Sequence, residues 1–461
     1  MLTGLKKILF QPSTNWKFWL LIALFIRGAF FFLQIHIFHS KTYWGITEDD
    51  TFTYLSPIES LIDKGKYDPD FRMPGYGIIY LPLYFLFSRI AAYNILLLIQ
   101  LLLSAISVYV LAITTEKLFK QPFFFYAVFY LYALSYNVCT YDSTVLTESF
   151  TTSFLIILVF FFIRYFENRN STAYLVISGV LLTWVIFLRP VFVPIMFLFL
   201  LLLFFLNVGT KKQILIACIT FISPFILIDG AWIVRNYIHY KKIIPLTNGL
   251  YLPGYDNGYF QAANEFVESW GGGYARDYNG LNNMPSYIYT SKFNADSLKK
   301  LNDLTIAFDT TNLTAAEKSR YLNLIRKKFN VYAQSVKEEK PFLYYVKAPI
   351  SNIRTFIGMS TMLNLLFFIK TYGYPFSIVI SWIYYIVVIS SFFGILLLLK
   401  QSSKKPILLI IYGIPLYIVF IHCVVLRLPH NRYLVPVYPF LLICSLNIFY
   451  FCYIKLRNSL H

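Results

Sequence analysis

Long, uninterrupted apolar runs are the dominant feature of this 461-residue chain. A helix needs about 20 apolar residues to cross the hydrocarbon core of a bilayer, and continuous runs favour spanning helices over the alternating strands of a barrel. Hydrophobic residues make up 58% of the chain and charged residues only 13%, with a mean hydropathy of +0.60. A water-soluble domain does not carry so much apolar surface. The sequence therefore predicts an all-α polytopic membrane protein.

About ten runs are long enough to be spans. The predicted spans are 16–38, 95–114, 123–139, 150–163, 173–188, 191–206, 214–233, 376–399, 407–426 and 434–453. The first contains Arg27 and is not followed by a small-residue cleavage site, so we expect it to stay in the protein and not to be a signal peptide. Basic residues collect in short loops near Lys117, Lys211 and Lys404, and the positive-inside bias assigns these loops to the cytoplasm.

Another apolar run, residues 76–87, is too short to span and contains Pro82. We expect a juxtamembrane or re-entrant helix there. On this topology three segments face the exterior: 40–75, 140–148 and 235–375.

The outer segment 235–375 is long enough to be a soluble insertion between two groups of spans. The chain is therefore predicted to have three domains. Residues 1–234 form an N-terminal transmembrane module with the first outer loops, 235–375 a periplasmic loop domain, and 376–461 the C-terminal transmembrane helices. Within the loop domain, Thr314 and Glu317 form a capping box ahead of apolar residues at helical spacing, which predicts a helix over 315–336. The insertion is therefore expected to be mostly helical.

The net charge of +18 does not indicate a nucleic-acid partner, because much of the excess lies in cytoplasmic turns where the positive-inside bias explains it. The five cysteines lie in or beside the predicted spans without paired spacing. A disulfide framework and a thiolate metal site are therefore not expected.

Acidic and basic residues converge on the predicted outer face. The acids are Glu48, Asp49 and Asp50 in the first outer loop and Glu148 at the end of the second, where a span begins. The basic residues are Arg72, Arg189, Arg235, Arg427, His430 and Arg432. Each has an ordinary explanation when taken alone, such as a solvated acid or an arginine that reaches the headgroups. Four basic clusters on the face where positive charge is disfavoured need a common cause.

A lipid-phosphate substrate supplies that cause. Arginine and histidine at headgroup level neutralise a phosphate or diphosphate and stabilise it as a leaving group. A carboxylate on the same face is suited to deprotonate an acceptor hydroxyl or amine. Two further charged residues, Arg27 and Asp229, lie inside predicted spans, where a structural ion pair and a donor-site role are equally open.

Several segments, taken in order, resemble a known family. They are "EDDTFTYLSPIESLIDKGKY", "RMPGYGIIYLPLYFLF", "VLTESF", "LRPVFVP", "WIVRNYIHYKKIIPLTNG" and "HNRYLVPVYPFLL". The pattern resembles bacterial GT-C glycosyltransferases of the dolichyl-phosphate-mannose-protein mannosyltransferase type (glycosyltransferase family 39/83-type), with lipid A aminoarabinose transferase and the oligosaccharyltransferase catalytic subunit as more distant relatives. It covers nearly the whole chain outside the large loop. The resemblance implies a GT-C-type helical bundle with juxtamembrane helices in the first outer loop.

The resemblance also implies a catalytic base. Such enzymes carry an essential aspartate in the first outer loop, in a pattern similar to Asp-x-x-x-Tyr. That register selects Asp50, with Tyr54 as its partner, over Asp49 and Glu48.

A second acidic site is implied at Glu148. In oligosaccharyltransferases this site helps to bind a divalent metal, but the Asp-x-Asp pattern is missing here, and Asp142 lies six residues away. We therefore assign no metal ligand, and a divalent metal stays open as a cofactor. Arg72 stands where the aminoarabinose branch has Lys-Pro-Pro, which argues against aminoarabinose chemistry.

The sequence thus predicts an inverting, polyprenyl-phosphate-sugar-dependent glycosyltransferase of the inner (plasma) membrane, active on the periplasmic or exterior side. Its expected partners are the lipid-linked sugar donor, a periplasmic acceptor and the bilayer. The predicted site residues are Asp50 and Glu148 for catalysis, Arg72, Arg189, Arg235, His430 and Arg432 for the donor phosphate, and Asp49, Tyr54, Tyr76 and Tyr433 as further candidates. The alternatives are an O-antigen-type polymerase or ligase, and a lipid-linked sugar flippase or transporter. The sugar, and an acceptor that is protein, lipid or glycan, stay open.

Overall fold

The computed structural model describes residues 15–38, 43–47, 50–68, 72–168, 171–207, 209–246, 258–272, 281, 284–310, 313–358 and 374–459. Across these residues the regular structure is helical, with two isolated β-bridges and no strand. The predicted class, a helical polytopic membrane protein, is confirmed.

The α-helices, numbered in chain order, are α1 Trp16–Phe38, α2 Thr51–Lys64, α3 Gly77–Leu86, α4 Arg89–Phe119, α5 Pro122–Ala133, α6 Tyr136–Cys139, α7 Thr147–Glu167, α8 Thr172–Leu188, α9 Ile195–Leu206, α10 Lys211–Tyr240, α11 Phe260–Ser269, α12 Ala295–Thr310, α13 Ala315–Glu339, α14 Ala348–Ile357, α15 Tyr374–Ser402, α16 Leu409–Phe420 and α17 Tyr438–Ser459. Short 3-10 and π-helical turns extend several of them.

Seven of the described helical segments are long and apolar enough to cross a membrane. They are Trp16–His36, Arg89–Phe119, Thr147–Glu167, Lys211–Tyr240, Ile378–Ser402, Pro406–Val425 and Asn431–Ser459. Each corresponds to one of the ten predicted spans. The other three predictions differ: 123–139 is a pair of helices bent by 53°, while Thr172–Leu188 and Pro190–Leu206 are shorter apolar helices. Pro190 separates the last two, because the residue before a proline is driven out of the helical region.

The short helix predicted at 76–87 is α3. It has 10 residues and contains Pro82, so it is too short to span. Gly77, the first residue of α3, packs against the side chain of Ile58 in α2. Large apolar residues remain exposed on its other side, Phe85 and Leu86 among them, as expected for a helix in contact with lipid.

The described residues divide into two compact units. Those within 1–253, 365–416 and 435–461 form the first unit, and those within 254–364 and 417–434 form the second. The predicted boundaries at 234/235 and 375/376 stay a prediction.

The core of the second unit is aromatic. Phe266 of α11 contacts Phe293, Phe329 and Tyr332, with ring centroids 5.3 to 6.0 Å apart. The predicted capping box is present: the Thr314 hydroxyl accepts from the Glu317 backbone, and the Glu317 carboxylate accepts from the Thr314 backbone. The helix that follows is confirmed and continues to Glu339, a little beyond the predicted end.

Candidate active site

Asp50 and Arg72 form the first ion pair of the site. Asp50 stands at the N-cap position of α2, yet its carboxylate does not cap the helix. It accepts from Arg72 Nη2 at 2.7 Å, while Arg72 Nε donates to the Thr53 hydroxyl at 3.2 Å. Both members of the pair are partly exposed. The carboxylate predicted as a base is therefore held by an arginine that was predicted as a phosphate ligand.

Glu148 and Arg189 form the second ion pair. Glu148 lies in the first turn of α7, where the helix dipole favours an acid, and it is 1% exposed. Arg189 follows α8 in extended conformation and donates through Nη2 to Glu148 Oε1 and through Nε to the Thr147 hydroxyl at 2.8 Å. Because Pro190 ends the helix here, the arginine can reach back to the start of α7.

Tyr54 lies within electrostatic range of both ion pairs. Loss of contact with water raises the pKa of Tyr54; the charge of Arg72 opposes that rise, and the charge of Glu148 adds to it. Arg189 and Asp50 act on the same phenol, in opposite senses. The guanidinium carbon of Arg72 lies 4.6 Å from the centre of the Tyr54 ring. The two pairs therefore flank one phenol, which stays neutral at physiological pH.

A close backbone contact joins the loop of Arg72 to the helix end of Arg189. A Cβ on Gly75 would lie 2.7 Å from the backbone nitrogen of Leu188 and nearer still to the Phe187 carbonyl. The Trp184 indole donates to the Gly75 carbonyl at 2.9 Å. Only glycine permits this approach, and it fixes the spacing between the two arginines.

Gln100, which is not among the residues predicted from the sequence, connects the segment of Tyr76 with the second outer loop. It lies fully buried in α4 and accepts from the Tyr76 hydroxyl. Its amide nitrogen donates to the backbone carbonyls of Thr144 at 3.0 Å and Asp142 at 3.3 Å. The sequence signal that could have identified Gln100 is that it is the one amide side chain in the strongly apolar predicted span 95–114.

A buried charge network supports the second loop. Arg27 of α1, fully buried, donates to the Asp142 carboxylate at 3.1 Å and to the Tyr132 carbonyl at 2.8 Å. Asp142 also accepts from the hydroxyls of Ser104 and Ser149, both at 2.7 Å. Ser149 is the neighbour of Glu148, so this network fixes the position of the second acid. Of the two readings that the sequence left open for Arg27, the structure shows the ion pair.

The other intramembrane charge, Asp229 of α10, is buried and accepts from the backbone nitrogen of Leu246 at 3.3 Å.

Arg235 reaches the same loop through an aromatic contact. Its guanidinium lies 4.9 Å from the Trp232 ring and 5.5 Å from the Tyr67 ring. The Tyr67 hydroxyl donates to the Arg72 carbonyl at 3.0 Å. A third predicted arginine is thereby connected to the Asp50–Arg72 pair through Tyr67.

The remaining predicted residues belong to the second unit. The backbone N–H of Arg432 donates a hydrogen bond to His430 Nδ1 at 3.2 Å. The Tyr433 ring stacks on His422 with centroids 4.3 Å apart. Arg427 stacks on Tyr344 at 3.6 Å and donates to the Tyr344 carbonyl at 2.9 Å. These contacts bind the segment 422–433 into its own unit. Asp49 lies outside the described residues.

The described acids do not fit a divalent-metal site. In the part of the chain that the structure describes, no three His, Cys, Asp or Glu side chains form a group suited to a metal ion. Asp142 is occupied by Arg27 and two serine hydroxyls, and Glu148 is paired with Arg189. No step is therefore assigned to a metal.

Comparison with known proteins identifies the fold class. No family model and no curated protein matches the sequence. The archaeal oligosaccharyltransferase AglB from Archaeoglobus fulgidus, in complex with an inhibitory peptide and a dolichol-phosphate, is similar, with a TM-score of 0.53 and 12% identity over 97% of this chain. The apo form of the Archaeoglobus fulgidus enzyme gives a TM-score of 0.50 and 13% identity over 96%. A complex of that enzyme with Zn and sulfate gives 0.48 and 13% over 93%.

This chain spans about half the length of those proteins, between 49% and 52% of each. At such identities the likeness shows the fold. This chain shares that fold with the archaeal oligosaccharyltransferase.

Proposed function

We propose that the protein is a glycosyltransferase that moves a sugar from a polyprenyl-phosphate donor to an acceptor at the outer face of the inner membrane. The observation that carries the proposal is the pair of acid–arginine contacts, Asp50 with Arg72 and Glu148 with Arg189, around Tyr54 at adjoining ends of helices in a GT-C-type fold. An acid and an arginine are the two groups that transfer from a lipid phosphate requires.

In the proposed mechanism Asp50 is the general base. Its carboxylate takes the proton of an acceptor hydroxyl or amine, and the acceptor atom forms a bond to the anomeric carbon. The bond between that carbon and the phosphate oxygen breaks, and its electron pair leaves with the polyprenyl phosphate. In-line attack inverts the anomeric centre. The proton on Asp50 then passes to solvent.

The arginines stabilise the leaving phosphate. A guanidinium presents five N–H donors in a planar fork and binds phosphate oxygens in bidentate fashion. The donor phosphodiester carries one negative charge and gains a second as its bond to the sugar breaks, so the arginines bind the leaving polyprenyl phosphate more strongly than the donor. In the proposed mechanism Arg72 donates to the phosphate through its other N–H groups, and the Asp50 carboxylate receives the acceptor proton. Arg189 and Arg235 are proposed to act on the same phosphate, while His430 and Arg432 stay phosphate ligands predicted from the sequence.

Glu148 is proposed as the group that holds Arg189 in place. A carboxylate buried to this degree keeps its partner guanidinium oriented. Arg189 thereby presents its remaining edge without losing side-chain entropy when the donor binds.

Support for the donor class comes from the neighbour that binds a dolichol-phosphate. The same neighbour binds an inhibitory peptide, but the acceptor of this chain stays open among protein, lipid and glycan. The transferred sugar is a hexose or a pentose.

The test is transfer by the purified full chain in proteoliposomes, with a panel of labelled polyprenyl-phosphate hexoses and pentoses. Sugar release or transfer from at least one donor, lost in Asp50→Asn, is the expected result. Release from diphosphate-linked oligosaccharides alone would instead favour a polymerase or ligase. Movement of the intact donor across the bilayer without bond cleavage would favour a flippase.

A further inference from the structure

One helix of the second unit exposes an apolar face. A π-helical stretch, Leu343–Lys347, continues directly into α14. One side of this continuous helix is buried in the unit, through Leu343, Ala348 and Phe356. The other side carries large apolar residues that are 40% to 71% exposed: Phe342, Tyr345, Val346 and Ile350. Three of these, Phe342, Val346 and Ile350, follow one another at four-residue spacing and so form a stripe along the helix.

The same helix is basic. Lys347 and Arg354 are exposed, Lys340 precedes the helix, and no acidic residue occurs from 341 to 358. The Lys347 ammonium lies 3.8 Å from the centre of the Tyr287 ring, which is itself half exposed. An apolar stripe flanked by cations and tyrosines is typical of a helix that lies flat in the headgroup layer of a bilayer.

The position of the helix agrees with that reading. The Asn352 amide donates to the Cys423 carbonyl at 3.1 Å, and the Phe356 ring stacks on His422 with centroids 5.7 Å apart. Cys423 and His422 belong to Ile421–Val425, the final stretch of the candidate span Pro406–Val425. A helix that packs on the end of a membrane span lies at the level of the bilayer surface.

We propose that residues 342–357 form an interfacial helix that docks on the anionic headgroup layer of the membrane in which the protein resides. Phe342, Val346 and Ile350 enter the boundary between headgroups and acyl chains. Lys347 and Arg354 contact lipid phosphates, since cations without neighbouring acids match an anionic surface. The proposal concerns attachment of the second unit to the membrane, and it does not depend on the transferase activity.

The experiment places a fluorescent NBD probe at position 350 of the full chain by Ile350→Cys, in a background with Cys452→Ser and Cys218→Ser. Ile306→Cys is the matched control, because Ile306 is an isoleucine of similar exposure on α12 of the same unit. Proteoliposomes contain phosphatidylcholine and phosphatidylglycerol, with or without doxyl-labelled lipid. We expect doxyl lipid to quench the probe at 350 several-fold more than the probe at 306, and aqueous iodide to do the reverse.

A probe at 350 that iodide reaches as readily as at 306, with no doxyl quenching, would overturn the proposal. A probe at 350 that is shielded from iodide but not quenched by doxyl lipid would also overturn it, because a protein partner or a second copy would then cover the face.

The charge requirement is tested separately. Lys347→Gln with Arg354→Gln should reduce doxyl quenching at 350 in phosphatidylglycerol vesicles to the value found in pure phosphatidylcholine. Lys299→Gln with Lys300→Gln, an equal loss of charge on α12, should leave it unchanged. Equal quenching of the parent in both lipids would refute the anionic component.

Discussion

Arg72 is held on two sides at once: its Nη2 lies 2.7 Å from Asp50, and its guanidinium carbon lies 4.6 Å from the centre of the Tyr54 ring. The carboxylate fixes the edge of the fork and the aromatic ring fixes its face. An arginine that is held in this way is already oriented for a phosphate. The same contact engages the carboxylate of Asp50, which is the proposed base.

The first prediction concerns Asp50. Asp50→Asn keeps the size of the side chain but cannot accept a proton at neutral pH, so transfer should fall by about 10² or more. Binding of polyprenyl phosphate should persist, because the arginines remain. Single-turnover transfer and equilibrium donor binding measure the two effects. Asp49→Asn is the neighbouring control and should do less; parental activity in Asp50→Asn would remove the mechanism.

The second prediction concerns the Glu148–Arg189 pair. Arg189→Gln leaves a buried carboxylate without its cation and should destabilise the protein by about 3–5 kcal/mol. Glu148→Gln combined with Arg189→Gln should restore most of the thermal stability in detergent while transfer stays lost. The partly exposed pair of Arg89 with Glu59 is the control, where Arg89→Gln should change stability by about 1 kcal/mol or less. A double variant as unstable as Arg189→Gln alone would show that the pair is not the source of the effect.

The third prediction concerns the phosphate ligands. Arg235→Ala and Arg432→Ala should each weaken binding of sugar-free polyprenyl phosphate by about 1.5–3 kcal/mol, the value of a charge-assisted hydrogen bond. Lysine at either position should restore only part of the affinity, because an ammonium lacks the planar fork. Arg164→Ala is the control, since Arg164 pairs with Glu167 at 2.7 Å in a predicted cytoplasmic turn. Scintillation binding measures all variants; unchanged affinity in both would make these arginines membrane anchors.

The fourth prediction concerns Glu268 of the second unit. Burial raises the pKa of Glu268 to about 8; the neighbouring Glu265 adds to the rise and Arg427 opposes it. Because the folded state binds this proton more tightly than the unfolded state, the stabilisation is complete below about pH 4 and is lost as pH rises toward 8. Glu268→Gln should therefore lose less thermal stability than the parent between pH 5 and pH 8.

Thermal unfolding of the full chain across that pH range measures the difference, which is on the order of a few kcal/mol. Glu338→Gln on α13 is the control and should follow the parent. Identical pH profiles for the parent and Glu268→Gln would contradict a protonated Glu268.

Local signals in the sequence predicted much of this fold. Hydropathy located the spans, because each span is one continuous run, and the Thr314–Glu317 capping box located the start of α13. The helix break at 189/190 was readable from Pro190. Ten spans were predicted, whereas the described residues contain seven, or eight if the bent pair α5 and α6 is one span, because hydropathy does not record where a helix bends or ends.

The sequence did not show which acid pairs with which arginine. Asp50 and Arg72 are separated by 22 positions, Glu148 and Arg189 by 41, and Arg27 and Asp142 by 115. Which acid meets which arginine depends on how the loops pack, and that depends on contacts such as Gln100 with the Thr144 carbonyl. The sequence predicts that the acids and arginines lie on one face, and the structure shows which acid pairs with which arginine.

The close contact of Gly75 with the backbone of Leu188 holds Arg72 and Arg189 at a set distance from each other. A chain that gained any side chain at position 75 would have to separate the Arg72 loop from α8, and both ion pairs would shift together. A substitution at position 75 would therefore alter the geometry of both ion pairs at once and could not adjust the substrate range of the proposed transferase gradually. For the proposed transferase, substitutions that change the substrate are therefore expected in the surrounding loops, where a residue can be replaced without altering the distance between the charges.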